Sequence, residues 1–593
     1  MPAPPPFVLL DDARPGGAAA RLYRDPLEIV VARDVADVVP ALARVREGNA
    51  RGLHAAGWIG YEAAAAFEPR LPAPARAADA LPLLWFGLFA GYAAIDRGEV
   101  AARLPDPAGA WLGEPEPAVA RGDYDAQLAA VLALIDAGDL YQANLTYQAR
   151  LAFQGDPLAL YARLRAQAGA GYGAYIDSGD HHILSLSPEL FFAAEGGQLR
   201  ARPMKGTAPR GDTPEADRAA AAALAADPKQ RAENLMIVDL MRNDLARVAQ
   251  PGSVEVPALF TVESYPTVHQ LVSDVRATLA PDRDAIDVIA ALFPCGSVTG
   301  APKIRAIEAL AAIEQRPRGL YTGAIGRIDP SGDAMFNVAI RTLVARHGEE
   351  VATLGLGGGI VADSRAASEW AETRTKAAFL RASRPRFDLI ETMAFDPLHG
   401  LMRLDAHIAR LRASAAQLGF AFDRHTARNE LQAATFKLRT AARVRLLLAP
   451  SGALAVEVAP MPPAPAGIVE VALTPLPVSA CDFRLRHKTS DRGFYDDARA
   501  AAGSFEVAFT DADGFLTEGS FTSLFVERGA ALLTPPLARG LLPGVLRQTL
   551  IAEGRAVEAD LRPDDLAGGF LIGNALRGLL PARLVARGGA ATL

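Results

Sequence analysis

RASRPRF, residues 381–387, carries a proline and no apolar repeat, and the chain starts a new pattern after it. Before it, SEWAETRTKAAFLRA has the period of a helix. After it, FDLIETMAF reads as a strand and RLDAHIARLRASAAQLGF as a helix. Residues 381–387 are therefore read as a linker, with one unit over 1–380 and a second over 388–593.

Working toward the N-terminus, TGAIGRID, AMFNVAIRTLVARH and EVATLGLGGGIV read as consecutive strands. QRAENLMIVDLMRNDLARV reads as a helix charged on one side. PDPAGAWLGEPEPAVARGD (105–123) reads as a surface linker, and residues 1–118 as short strands with Pro/Gly-rich turns. Toward the C-terminus, ARVRLLLAP, ALAVEVAP and IVEVALTPL read as strands. GSFEVAFTDADGFLTEGSFTSLFVERGAALLTPP reads as strands joined by Asp-Gly and Arg-Gly turns. Both units mix α/β and α+β character.

The 593 residues are 50% hydrophobic and 22% charged, with a net charge of −7. That balance suits a globular chain and argues against a phosphate-backbone binder, so no nucleic-acid partner is expected. The two cysteines, Cys295 and Cys481, form neither a CxxC pair nor a disulfide framework, which points to a reducing compartment. MPAPPPFVLLDDARPG lacks a basic region followed by a long apolar one, so no signal peptide is read. No run of apolar residues predicts a membrane span. A cytoplasmic location is expected.

Several residues of the first unit carry chemistry. In PMKGTAPRG (203–211), Lys205 stands between an apolar strand end and a Gly-Thr turn. Glu369 and Glu372 lie three apart on one face of a predicted helix, and Glu233 lies on another, three residues after Gln230. Carboxylates from separate helices can converge on Mg²⁺, a hard ion that takes oxygen ligands. LGLGGGIVADS (354–364) reads as a glycine-rich turn whose N–H groups can approach an anion. It matches neither the P-loop nor the dinucleotide fingerprint. Arg341, on the preceding strand, can pair bidentately with a carboxylate. Taken singly, each of these features also fits a solvated surface.

Together, SPELF (187–191), PMKGT (203–207), RAENLMIVDLMRNDL (231–245), PTVH (266–269), FPCGSVTGAPKIRAIE (293–308), IRTL (340–343), GGGIVADS (357–364) and EWAETRTKA (369–377) resemble the chorismate-utilising enzymes. The resemblance implies an anthranilate-synthase-component-I-like α/β fold with two facing sheets, an active-site cleft between them, and Mg²⁺. It implies metal ligands at Glu233, Glu369 and Glu372. Ring-carboxylate contacts fall on Arg341, Tyr321 and the backbone of Gly357, Gly358 and Gly359, with Lys376 near both carboxylate and metal. Thr207 and His269 fall beside the substrate ring, as catalytic residues with Lys205. Anthranilate synthases usually carry alanine in the slot of Lys205. The PxKGT form is similar to component I of aminodeoxychorismate synthase, where the lysine is thought to attack C2 of chorismate before ammonia adds at C4. Isochorismate and salicylate synthases also place lysine there, so anthranilate and isochorismate/salicylate chemistry stay open as alternatives. Gln230 stands where many members have glutamate, and Cys295 where glycine is usual. No Gly-x-Cys-x-Gly segment with a downstream His-x-Glu is found, so ammonia is expected from a separate glutamine amidotransferase subunit. WIGYEAAAAFEPR (58–70) is similar to a segment that binds tryptophan in some members.

In the second unit, RHKTSDRGFYDDAR (486–499) raises the same question for Lys488. Arg410 lies on a helix face, Glu518 at a strand-to-turn junction, and GLLPGVLR (540–547) offers an exposed backbone turn. A lysine, an arginine, a free N–H turn and a buried acid are what pyridoxal phosphate needs. The pattern resembles the fold-type IV pyridoxal-phosphate enzymes (the D-amino-acid aminotransferase-like fold), and within them aminodeoxychorismate lyase. This implies Lys488 as the Schiff-base lysine and proton shuttle, Arg410 and the Val545–Leu546 backbone on the phosphate, Glu518 on the pyridine nitrogen, and Asn574 on the substrate side. Ser523 stands where asparagine is usual.

The joined expectation is a bifunctional enzyme of folate biosynthesis. The first unit aminates chorismate to 4-amino-4-deoxychorismate, and the second eliminates pyruvate to give 4-aminobenzoate. A homodimer through the second unit is expected. An aminotransferase or a non-catalytic regulatory second unit remain the alternatives.

Overall fold

The structure, a computed structural model, describes residues 6–71, 77, 79–265, 268–380 and 386–585. Residues 381–385 of the predicted linker, and Pro266 and Thr267 of the PTVH motif, lie outside the described residues. The chain forms two compact units. The first comprises Met1–Leu104, Glu114–Leu151 and Tyr161–Ser383; the second comprises Pro105–Gly113, Ala152–Leu160 and Arg384–Leu593.

Two large sheets build the first unit. One runs Gly300–Ala301, Gln142–Gly155, Val351–Ile360, Thr342–Arg346, His181–Ser187, Tyr172–Asp177, Phe7–Asp11, Ala20–Arg24 and Ala93–Ile95. The other runs Met204–Pro209, Val268–Thr278, Gln198–Arg202, Leu190–Glu195, Ala334–Val338, Ala324–Ile328, His54–Ile59, Leu84–Phe89 and Glu28–Ala32. Helices Val35–Ala50, Pro228–Ala246 and Ala285–Leu292 contribute Val38, Leu42, Ile237, Met241 and Leu292 to a core shared with Val30, Phe86, Phe192 and Phe336. Leu292 is fully buried, so truncating it to alanine would cost about 2–5 kcal/mol.

The helix Pro228–Ala246 begins where it does for local reasons. Asp227 accepts hydrogen bonds from the backbone N–H groups of Lys229 and Gln230, and Pro228 fills the first turn, where no N–H is needed. That start sets Glu233 and Asn234 in the second turn.

The structure departs from the sequence reading in three places. Val35–Ala50 is a helix inside a region read as short strands. Its buried positions, Val38, Ala41, Leu42 and Val45, have helical spacing, but the valine run and Pro40 disguise it. The LGLGGG glycines, read both as part of a strand and as a turn, are strand and not turn: Gly355 and Gly357–Gly359 lie within Val351–Ile360. Residues 105–113 are not only a surface linker, since Ala110–Leu112 pairs with Phe153–Gly155 inside the second unit.

In the second unit, a four-stranded sheet runs Gly400–Leu401, Leu389–Asp396, Ala442–Leu448 and Leu454–Pro460. An eight-stranded sheet runs Leu516–Gly519, Glu506–Thr510, Val469–Pro475, Gly578–Leu584, Phe570–Asn574, Ser523–Arg528, Ala531–Thr534 and Ala556–Glu558. Helices Leu404–Gln417 and Arg424–Thr435 bury Ile408, Leu411 and Leu431 against Met393, Val444 and Leu446, with Trp111 packed on the same core.

Candidate active sites

In the first unit, Lys205 crosses from one sheet to the other. Its strand, Met204–Pro209, shifts register against Val268–Thr278 between Met204 and Thr207. Gly206, with φ of 105°, adopts the left-handed conformation that the shift requires. A Cβ on Gly359 would lie 2.6 Å from Lys205 Nζ, so the amine rests on the backbone of the facing sheet. Asn234, fully buried, fixes the approach. Its amide donates to the carbonyls of Lys205 and Leu271, each at 3.2 Å, while Ser273 Oγ donates to its oxygen at 2.6 Å.

The glycine strand is bare because three groups occupy its face. A Cβ on Gly355 would overlap the Tyr321 ring, and one on Gly357 would lie 2.6 Å from the Leu145 carbonyl. Near Gly358, Glu369 Oε2, Lys376 Nζ and Glu372 Oε1 gather within 4 Å of where a Cβ would stand. Lys376 Nζ donates to the Gly357 carbonyl at 2.9 Å and pairs with Glu372 at 2.8 Å. Ser364 Oγ donates to Glu369 at 2.7 Å.

These groups perturb one another. Burial pushes the Lys205 amine below its ordinary range, Lys376 pushes the same way, and Glu233, 3.9 Å away, opposes. Burial and the charge of Glu372 raise Glu369. Burial also acts to raise Glu372, but Lys376 and Lys205 outweigh it and hold that carboxyl low.

Glu189, in the SPELF motif, was not singled out from sequence. It is buried, accepts a 2.6 Å hydrogen bond from Ser297 Oγ, and is raised by burial to about 7. Its field reaches Lys205. Only the burial reveals it, since a glutamate beside a proline in a strand pair has no sequence signature of its own.

Lys205, Glu233, Gly357–Gly359, Glu369, Glu372 and Lys376 thus come together. Other residues implied in this site have different partners. Thr207 Oγ1 donates to Gln270 at 3.0 Å. His269 is buried with Nδ1 2.9 Å from Ser264 Oγ and Nε2 2.9 Å from Asp217. Arg341 has φ of 50°, uncommon for a residue with a side chain. Burial lowers its pKa, and its guanidinium makes no hydrogen bond or ion pair with the described residues. Cys295 has φ of −57°, so the usual glycine there is not demanded by backbone strain, and burial pushes its thiol up to about 12.

In the second unit, Lys488, Arg410, Glu518, Ser523, Val545, Leu546 and Asn574 line one cavity of about 280 Å³. Two groups missing from the sequence reading hold them. Buried Glu391 takes Arg410 in a two-point pair at 2.8 and 2.6 Å and lies 2.5 Å from His407 Nδ1. Arg410 and His407 hold that carboxyl at about 2 against burial. Buried Tyr495 donates to Glu518 at 2.5 Å. Burial raises Glu518 to about 7, and burial with Arg492 and Arg410 lowers Lys488 to about 7. Arg410 Nη1 donates to the Pro543 carbonyl at 3.2 Å, beside the start of the helix Val545–Ala552, which no side chain caps. Its first N–H groups are free to meet an anion. Gly544 lies close enough to Ser523 that a Cβ would sit 2.8 Å from Oγ.

A separate cluster has metal-ligating chemistry. Ligand atoms of Asp177, His182 and His347 lie within 4.8 Å of one another. Their hydrogen bonds are already complete in part: His347 Nε2 lies 3.1 Å from Asp177, and Tyr175 OH 3.0 Å from His182 Nδ1.

The two-sheet fold and the acid-lined cleft define a chorismate-binding enzyme. Residues 17–382 match that family, the chorismate binding enzymes, and the chain belongs to it. Residues 388–585 match the class IV amino-transferases. The chain is 45% identical over 256 residues to aminodeoxychorismate synthase component 1 of Salmonella typhimurium, a match of 43% of this chain and 56% of that one. It is 40% identical over 341 residues to the protein of the same name from Klebsiella aerogenes, covering 54% of this chain and 75% of the relative. The chain therefore spans little more than half the length of the Salmonella relative. Among solved structures, anthranilate synthase component I from Streptococcus pneumoniae aligns with a TM-score of 0.53 and 26% identity, over 64% of this chain and 92% of that one. Among the described residues, no helix is long and apolar enough to cross a membrane.

Proposed function

We propose that the chain makes 4-aminobenzoate from chorismate in two steps, one in each unit. In the first, chorismate and ammonia give 4-amino-4-deoxychorismate and water. Lys205 Nζ adds to C2 as the C4–O bond breaks and the ring double bonds shift. Ammonia then adds at C4, the double bonds return and the C2–N bond to Lys205 breaks. The observation that carries this reading is the Lys205 amine, lowered in pKa and held on the Gly359 backbone 3.9 Å from Glu233. Glu189, raised to about 7, can hold the proton that the departing hydroxyl needs. Arg341, unpaired among the described residues, suits a substrate carboxylate, with Tyr321 and the glycine backbone as its partners in that role.

Glu233, Glu369 and Glu372 fit Mg²⁺, being oxygen donors of which two repel each other. When bound, the ion supplies Lewis-acid charge near the substrate carboxylate and leaving oxygen. Ammonia comes from a separate glutamine amidotransferase subunit. In this reading His269 and Thr207 act by holding the strand that carries Lys205.

The cavity of the second unit fits pyridoxal phosphate. Arg410 and the N–H groups of Val545 and Leu546 would hold its phosphate, and the Glu518 carboxyl would face its pyridine nitrogen. When bound, the cofactor supplies an electron sink. Lys488, close to half neutral near pH 7, can take and return the proton moved while pyruvate leaves. Asn574 shapes the substrate side. A homodimer through this unit belongs to the same reading.

The test is product analysis of the full chain with chorismate, Mg²⁺, pyridoxal phosphate and excess ammonium. Equal amounts of 4-aminobenzoate and pyruvate are expected. Anthranilate or isochorismate instead would overturn the reading of Lys205. Accumulated 4-amino-4-deoxychorismate would confine the function to the first unit.

A further inference from the structure

The cavity around Lys488 has more positive charge than a cofactor phosphate uses. Arg410 is already neutralised by Glu391. Arg443, Arg492, Arg499 and Arg577 line the same cavity, and among the described residues Glu518 is its only acidic wall residue.

Two of these arginines are built into the wall. Phe505 and Phe521 pack edge to face with ring centroids 6.0 Å apart. The Arg499 guanidinium lies 5.1 Å from the Phe521 ring, and that of Arg577 lies 5.9 Å from the Phe505 ring. Asn574 ties this platform together. Its Oδ1 accepts from the N–H groups of Leu576 and Arg577 at 3.1 and 2.9 Å, and its Nδ2 donates to the Phe521 carbonyl at 3.1 Å. The loop that carries Arg577 and the residue whose ring Arg499 lies over are thus fixed to one another. Arg499 also pairs with the exposed Asp496 at 2.9 Å, and Arg577 donates to the Pro463 carbonyl at 3.1 Å. Both leave donors of the five-donor guanidinium available.

We propose that Arg499 and Arg577 form a carboxylate-binding subsite, so that the pocket selects an amine bearing two carboxylates over one with an apolar or singly charged body. This rests on reading Lys488 as the residue that meets the substrate amine. An apolar substrate entering the same wall would leave Arg577 without an anion among the described residues and Arg499 with only the exposed Asp496, a cost that discriminates against it.

The probes are benzene-1,3-dicarboxylate and benzoate, titrated calorimetrically into the full chain. The dicarboxylate should bind at least about tenfold tighter, as expected for an added charge-assisted contact. Arg499→Gln and Arg577→Gln together should remove that advantage. Arg499→Lys, which keeps the charge and loses the fork, should keep part of it. Equal binding of the two probes, or an advantage that survives the double substitution, would overturn the subsite. If the arginine-dependent preference stands but 4-amino-4-deoxychorismate yields no 4-aminobenzoate, the subsite holds and the proposed reaction fails.

Discussion

Lys205 Nζ lies 3.9 Å from Oε2 of Glu233, near enough to feel its charge and too far for a hydrogen bond. The carboxylate limits how far burial can lower the amine, and the amine screens one of three acids at the proposed metal position. Replacing Lys205 with alanine should remove the nucleophile and cut 4-amino-4-deoxychorismate formation by at least about a hundredfold. Rate measurement with ammonia checks it, and undiminished amination would end the covalent role.

Glu189 should be needed as an acid. Glu189→Gln keeps the shape and loses the proton, with an expected fall of about 10²–10⁴ in amination. Because the folded pKa is raised to about 7, the proton is present below that pH and lost above it. Activity at fixed free ammonia should therefore decline as pH rises through about 7 in the wild type, and that limb should vanish in the variant.

Two glycines on one strand should behave differently. The atoms nearest a methyl group at 359 are side-chain ends, of Lys205 and Gln142, and not backbone. Gly359→Ala should fold with stability changed by about 1 kcal/mol or less, yet lose tenfold or more of amination through a displaced amine. Gly355→Ala places a methyl group in the Tyr321 ring and should destabilise by several kcal/mol. Denaturant unfolding of both variants, set beside their rates, separates the two.

Glu391→Ala strands Arg410 and His407 in a buried site. Loss of one member of such a network costs about 3–5 kcal/mol. Thermal unfolding should show the drop, and pyridoxal phosphate should bind more weakly.

Lys488 has its folded pKa lowered to about 7, so its amine is mostly neutral above that pH. Pyridoxal phosphate uptake should accelerate as pH rises through about 7. Arg492→Gln removes the strongest of the neighbouring charges that lower Lys488 and should move the midpoint upward. Stopped-flow absorbance reads both. Lys488→Ala should leave amination intact and accumulate 4-amino-4-deoxychorismate.

Much of the cleft was legible because it is written in contiguous motifs. PMKGT, RAENLM and EWAETRTKA each carry residues that meet in space. Helical spacing alone put Glu369 and Glu372 on one face. What stayed hidden depends on long-range burial. Glu189 and Glu391 are ordinary acids until sheets close over them, and Asn234 acts through carbonyls of strands far along the chain. The glycine run misled because glycine signals both turns and close approach, and only the facing Tyr321, Leu145 and Lys205 decide between them.

Arg484 is nearly buried and bound by Asp482, by Asp491 and, at 2.6 Å, by Asp106 from the segment Pro105–Gly113. His487, next to Lys488, has Gln154 of the segment Ala152–Leu160 3.4 Å from its Nε2. A single cut at residues 381–387 would thus not yield two transferable modules. The C-terminal piece would leave behind one of the three carboxylates around a buried arginine, and the Gln154 that lies beside His487. Recombining this chain with relatives that have only one of the two units would require carrying both short segments along.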